Sequence, residues 1–469
     1  MKKPISGIFI LILLCTILSA QDIPDEYIKQ CLNNNLALQQ KYFSLEKTME
    51  ALKEAKGMFF PSVAVQARYS RAGGGRIIDF PVGDLLNPVY KSLNSLFSFH
   101  GIPTDFPSNI PNERIPFLRE KEQETKLRVI QPIFQPALYY NFKLRSSVVE
   151  MNQAEVSLFK RQLIADIKNA YFTYLKTIQI IDLIDETRLL LEENLRVSES
   201  LFKTGKATED VVFRAQAEIA SLDQQEAGAE KNKTLAQQYF NFLLNQELDD
   251  PIETIQRDFS SLTPLPDLEA ALTRALDKRN EFQLIQHGLE AASYQADLAG
   301  TTHLPAVTAV LDYGIQGETY SLGKDDDYWM ASLVLEWNLF NGNQSRSKKA
   351  QSLLEKKQLE SQRSELENQI KLQVNEAYNL LRASLAAIIA ARKEKEAAEI
   401  SFRIVEKKYK YGTASQIEFI DARTAFTKSA TNHILACYEH LINQVKFELV
   451  TAKIDLSKLA QKFSSESGE

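Results

Sequence analysis

Cysteine is scarce. The 469 residues hold three, Cys15, Cys31 and Cys437, too far apart for a metal site or a disulfide framework. Methionine forms no cluster suited to a soft cation. No Gly-rich phosphate loop, nucleophile elbow or His-Glu pair of a metal hydrolase occurs, so no catalytic residue, no metal site and no cofactor are assigned, and an enzyme is not expected. A formal net charge of -6 offers phosphate no general attraction, so no nucleic-acid partner is expected. Beyond the first residues, no run approaches the roughly 18 apolar residues of a membrane-spanning helix. His433, Cys437 and His440 fall at i, i+4 and i+7, one stripe of a helix, and read as groove residues of a coiled coil rather than as metal ligands.

Glycine and proline are missing from two stretches, between Pro136 and Gly205 and between Gly342 and Gly412. Each is about 70 residues, about 100 Å if helical. In the first, Leu163, Ile167, Ala170, Tyr174, Ile181, Ile184, Leu191 and Leu195 follow alternating four-three spacing, with Thr177 and Arg188 in the missing places. That spacing predicts a left-handed coiled coil. In the second stretch the pattern returns 207 residues later as Ile370, Val374, Ala377, Leu381, Ser384, Ile388, Ala391, Lys395, Ala398 and Phe402, polar interruptions included. A matched seam with matched defects is an internal duplication. At the same offset "LFKTGKATEDVVFRAQ" (Leu201–Gln216) falls on "KYKYGTASQIEFIDAR" (Lys408–Arg423), so Gly205 and Gly412 each end a long helix with a left-handed cap before another begins.

Period-two segments precede each long helix. "YWMASLVLEWNLF" (Tyr328–Phe340) holds both tryptophans, and Trp329, Ala331, Leu333, Leu335 and Trp337 form one apolar face opposite Tyr328, Ser332, Glu336 and Asn338. Val307–Ile315 and Val63–Tyr69 alternate likewise. Trp329 and Trp337 would stand about 26 Å apart on a strand, close to the ~25 Å apolar band of an outer-membrane barrel with its aromatic rims.

The resulting organisation begins with a signal peptide at 1–20, read from Lys2, Lys3 and the apolar run Ile8–Leu18. The first repeat, 21–247, has a lead helix (Asp25 to Gly57), strands at about 60–70 and 125–134 joined by a long loop (71–121), a long helix at about 137–203 and a helix at about 208–246. A linker follows at 248–266. The second repeat, 267–461, has a lead helix (Asp267 to Thr301), strands at about 305–316 and 328–340, a long helix at about 343–410 and a helix at about 415–461, before a tail at 462–469. The fold class is mainly α with a membrane β-barrel part. Four strands cannot close a barrel and lipid tolerates no open sheet edge, so the barrel must be shared among chains.

The duplicated plan, the strand starts "FFPSV" and "HLPAV", and the paired turns "GKATEDV" and "GTASQIEF" resemble the TolC-type outer-membrane efflux proteins over nearly all of the mature chain. The resemblance implies a homotrimer with a shared 12-strand barrel among outer-membrane lipid and an α-helical barrel extending into the periplasm. It also implies a passive exit duct for tripartite efflux or type I secretion, docked to a periplasmic adaptor (membrane fusion) protein and an inner-membrane RND or ABC transporter. A periplasmic coiled-coil adaptor without its own pore is the alternative. The family places the glycine turns at the periplasmic tip, so Gly205, Lys206, Ala207, Gly412, Thr413 and Ala414 are the expected adaptor contacts. Glu418 and Asp421 fall where the family carries two gate aspartates, and mutual repulsion in a trimer would raise some of their pKa values. Ala414 stands where some relatives have an arginine clasp, and Val211 where they have an aspartate, Asp210 being one place away. Lys206, Lys408 and Lys410 are then the cations left to hold the tip closed.

Overall fold

The computed structural model describes residues 23–255, 259, 264–319, 326–457, 459 and 461. The segments expected to be the signal peptide and the C-terminal tail, with Cys15, lie outside them, as do parts of the linker and of the second strand loop. None of the described helices is long and apolar enough to cross a membrane. The chain forms two compact units, one of Met1–Glu50, Ser146–Ala292 and Leu354–Glu469 and the other of Ala51–Arg145 and Ser293–Leu353.

The first unit is helical. Two long helices, α4 (Pro136–Lys203, with α1 to α3 given below) and α8 (Gln344–Lys410), run 68 and 67 residues, and each is followed by a 35-residue helix, α5 (Asp210–Leu244) and α9 (Gln416–Val450). The repeat is visible in how these helices end. After α4 the N–H of Lys206 bonds Leu201 O and that of Gly205 bonds Phe202 O; after α8 Thr413 and Gly412 bond Lys408 and Tyr409 in the same way. Gly205 and Gly412 have φ of 71° and 72°, which L side chains enter at a cost and glycine does not. Asn245 and Ala452 close α5 and α9 with the same pair of bonds, at φ 55° and 51°.

Each lead helix, expected in one piece, is broken into two: α1 (Asp25–Asn34) and α2 (Leu36–Gly57), then α6 (Leu268–Lys278) and α7 (Asn280–Gly300). No glycine or proline marks either break. Asn35 is pulled out of helical geometry because its side-chain amide donates to Leu243 O while its carbonyl oxygen caps Leu38 N. Arg279 is held by Glu281 and Gln373. The core of this unit collects Ile28, Cys31 and Leu38 with Tyr171, Phe172, Phe240, Leu244, Tyr438 and Val445. Ala271 and Ala275 of α6 lie in smaller clusters with Ile370, Val374, Ala377, Leu381 and Phe447.

The α8 seam is buried in the expected series from Ile370 to Ala391 and again at Phe402, with Lys395 and Ala398 half-buried. The α4 seam departs from expectation beyond Ile184: Thr187, Leu191, Asn194 and Ser198 are buried, while Arg188 and Leu195 are half-buried. Two consecutive spacings of three, 181 to 184 to 187, make a stammer in the heptad. The physical reason is Arg188, whose guanidinium turns toward Asp223 at 2.7 Å and Glu226 on α5.

The second unit is built on one antiparallel four-stranded sheet, ordered β1 (Ser62–Arg71), β4 (Lys121–Phe134), β5 (Ala306–Gly317) and β6 (Asp327–Glu336). β4 has a register shift at Pro132, which has no N–H for the ladder. β6 ends at Glu336, short of the expected Phe340, so Trp337 lies just beyond the strand, its indole N–H donating to His303 O at 3.1 Å. The stretch expected as a long loop is structured. The β1–β4 ladder breaks at Gly73-Gly74-Gly75, with φ of +78° and +90° at the last two, and resumes as a two-stranded sheet of β2 (Ile77–Phe80) and β3 (Glu113–Pro116). Between them lies α3 (Val82–Phe99).

Candidate functional site

Register across the four strands sorts the side chains. One row is Val65, Leu127, Tyr313 and Trp329; the next row on that face is Val63, Val129, Leu311 and Ala331. This face is apolar on all four strands and exposed: Val65 is 73% accessible, Trp329 73% and Leu333 72%. An apolar surface of this breadth marks a contact with protein or lipid rather than with water.

The opposite face is charged and internally paired. Arg128 grips Asp312 with two bonds of 2.7 Å, and Asp312 has no exposed side-chain surface. Glu124 accepts from Lys126 at 2.8 Å and from the Tyr328 hydroxyl at 2.6 Å, with Arg68 at 3.5 Å. Gln316 donates to Glu122 at 2.6 Å. At the centre of this face Gly314 lets β4 approach: a Cβ there would stand 2.3 Å from Thr125 O and 2.7 Å from Lys126 Cα.

At the other candidate region, the helix ends around Gly205 and Gly412, the two hairpins are closed by different chemistry. Phe402 stacks on Phe426, Tyr409 stacks on Phe419, and Phe402 also meets Phe419, binding α8 to α9. Toward the end of α4, beyond Leu191, the buried positions are polar instead. Asn194 is 2% exposed with neither amide atom bonded to a partner among the described residues, and Ser198 is fully buried. At this end α9 bonds the first hairpin through Gln416, whose amide donates to Val211 O at 2.7 Å and Ser198 Oγ at 3.2 Å, and through Arg423, buried against Glu218. Sequence reasoning missed both residues. In the sequence both appear only within the matched turn segment, Arg423 as its last residue. Of the lysines expected as clasps, Lys410 pairs along its own helix with Glu406.

Glu418 and Asp421 are both exposed. Glu418 completes a capping box: Ser415 Oγ accepts from Glu418 N, and the carboxylate accepts from Ser415 N at 2.7 Å. That backbone bond, with a second from the Ser415 hydroxyl, holds the Glu418 carboxyl below the usual range. Within the chain the shift therefore opposes the rise expected from repulsion. Farther up α9, Cys437 Sγ lies 3.8 Å from His433 Nε2, but His440 Nδ1 meets Ser384 Oγ at 2.9 Å instead of joining them. Burial pushes the Cys437 thiol up to about 11 and keeps His440 below its ordinary value.

The family profile of outer membrane efflux proteins matches residues 271–452. The outer membrane protein TolC of Salmonella enteritidis is 21% identical over 462 residues, covering 93% of this chain and 83% of that protein. Among solved structures, the Campylobacter jejuni CmeC outer membrane channel superposes with a TM-score of 0.75 at 13% identity, covering 93% of this chain and 88% of that one. The open-state Neisseria gonorrhoeae MtrE outer membrane channel superposes at 0.71 and 15%, covering 91% and 88%. With its paired long helices, its four-stranded sheet and its duplicated turns, the chain shares the fold of these outer membrane channels, and its residues 271–452 match the outer membrane efflux protein family.

Proposed function

We propose that three copies of this chain form one passive exit duct through the outer membrane, opened at the helical tip by a periplasmic adaptor bound to an inner-membrane RND or ABC transporter. The observation that carries the reading is the two-faced sheet, apolar and exposed on one side of all four strands and, on the other, holding the paired charges of β1, β4 and β5 with the Tyr328 hydroxyl of β6. Such a sheet suits a wall between hydrocarbon and water. β1 and β6 each have one edge without a partner strand among the described residues, and unpaired backbone groups in lipid cost several kcal/mol each, so each edge needs a neighbouring copy. Three copies would contribute about twelve strands, a number within the range of closed outer-membrane barrels.

In this reading Trp329 and Trp337 sit at the two rims of the apolar band. Gly205, Lys206, Ala207, Gly412, Thr413 and Ala414 face the adaptor. Glu418 and Asp421 ring the closed tip, and Gln416 and Arg423 hold α9 against the first hairpin. The chain supplies no fuel site, so transport energy comes from the pump. The deciding experiment is the protein mass of the detergent-solubilised complex, followed by reconstitution into brominated lipids. A mass near three chains, with both tryptophans quenched, is expected. A monomer with intact strand content, or tryptophans indifferent to bromine, would defeat the proposal.

A further inference from the structure

The excursion between β1 and β4 is assembled in an unusual sense. Helix α3 turns Asn87 and Asn94, among the half-buried Leu86, Tyr90, Leu93 and Phe97, toward its own chain. Asn87 exchanges two bonds with Ile110, of 2.9 and 2.7 Å, and Asn94 exchanges two with Phe106, of 2.8 and 2.9 Å. Asn112 accepts from Asp84 N and donates to its carboxylate, and Tyr90 stacks on Phe106. At Gly83 the returning chain is so close that a Cβ would lie 2.0 Å from Ile110 O. With the asparagines spent inward, the outward face consists of Leu85, Val89, Ser92, Leu96 and Phe99, all exposed, Phe99 at 86%.

These five positions are spaced four, three, four and three. That is the seam of a coiled coil, a surface shaped for a helix of the same kind. A lipid-surface helix would instead carry a cationic polar face, and here Lys91 is the one lysine or arginine in α3. The excursion continues the hairpin of β1, whose free edge must meet the next copy if the barrel is shared. Each copy would therefore bring its own α3 to the same end of the barrel.

We propose that α3 is an interface between copies of this chain: the seam Leu85, Val89, Ser92, Leu96 and Phe99 packs against the α3 seams of the neighbouring copies at the barrel mouth. The proposal rests on the shared barrel argued above. Ser92 is the probe, because its hydroxyl bonds only its own helix, to Pro88 O, and the two cysteines of the described chain are buried. Ser92→Cys in the full-length, detergent-solubilised assembly, treated with copper phenanthroline and dioxygen, should yield disulfide-linked pairs, with an upper limit of roughly two-thirds of the chains for one cysteine on a three-fold axis. Ser98→Cys, exposed on another side of α3, should yield none. Adding Val89→Lys and Leu96→Lys to Ser92→Cys should reduce the linked fraction at least roughly tenfold while the native mass stays that of a trimer. Absence of cross-links in a complex of trimer mass would overturn the α3 interface alone. In the Ser92→Cys variant, quenching by brominated lipid of a fluorophore attached to the introduced thiol would also overturn it, by assigning the face to the membrane. A monomeric mass would overturn the shared barrel first and the interface with it.

Discussion

Arg423 shows how much a single side chain can decide. Its guanidinium is 7% exposed, one nitrogen is bonded to Glu218, and Nε has no partner among the described residues. The helix ends around Gly205 and Gly412 are thus joined by few, imperfectly satisfied bonds among the described residues, and the Asn194 amide is likewise buried without a partner among them. Arg423→Ala should remove about 1–3 kcal/mol of clasp and raise the fraction of time the channel stays open in planar bilayers, with trimer mass unchanged. Unchanged gating would remove Arg423 from the clasp. His440 offers a pH test of the helical unit. Its folded pKa lies below the unfolded value of 6.5 because burial disfavours the charged ring. Its contribution to stability is complete above about pH 6.5 and falls as pH drops from there toward the folded pKa, because the unfolded chain then binds a proton the folded chain refuses. His440→Gln should flatten the Tm-against-pH curve in that acidic window, and an unaltered slope would show that His440 does not set it.

At the scale of elements, the β4–β5 pair depends on a residue with no side chain. Gly314→Val would drive a Cβ into Thr125 O, a cost of about 3 kcal/mol by comparison with overpacked cores, and the expected result is loss of assembled trimer. Gly228→Ala is the contrast: its Cβ meets nothing within 4 Å on α5, so the change should stabilise the helix by about 1 kcal/mol. Thermal unfolding and the yield of trimer measure both, and equal assembly of the two variants would refute the close approach. The paired caps at Gly205 and Gly412 are a third case, where backbone conformation rather than space requires glycine.

For the whole molecule, the carboxylates at the tip are the feature that assembly would multiply. Three copies would set about six of them around one constriction, an arrangement that favours cations. Because Glu418 also caps α9, replacing it by alanine would confuse loss of charge with loss of the helix start. Glu418→Gln with Asp421→Asn keeps the capping geometry and removes the charge. This double variant should lose cation selectivity and divalent-ion block in planar bilayers, and retention of both would place the gate elsewhere.

The duplication was legible in the residues because it rests on local rules. Heptad spacing, a left-handed glycine after a long helix, and alternation along a strand depend on neighbours a few residues away. Trp329 and Leu333 could therefore be assigned to one apolar face of their strand before any contact was known. What eluded the sequence depended on partners far along the chain. The break at Asn35 needs Leu243, about two hundred residues later. The stammer beyond Ile184 needs Asp223 and Glu226 to draw Arg188 aside. The clasp of Gln416 and Arg423 needs Ser198, Val211 and Glu218 in another hairpin. The order within the sheet, the inward asparagines of α3 and the necessity of Gly314 belong to the same class. Periodicity tells a segment which face to bury. Only packing tells it what the buried polar groups will find there, because a hydrogen bond is satisfied by an atom at about 3 Å whatever its distance along the chain.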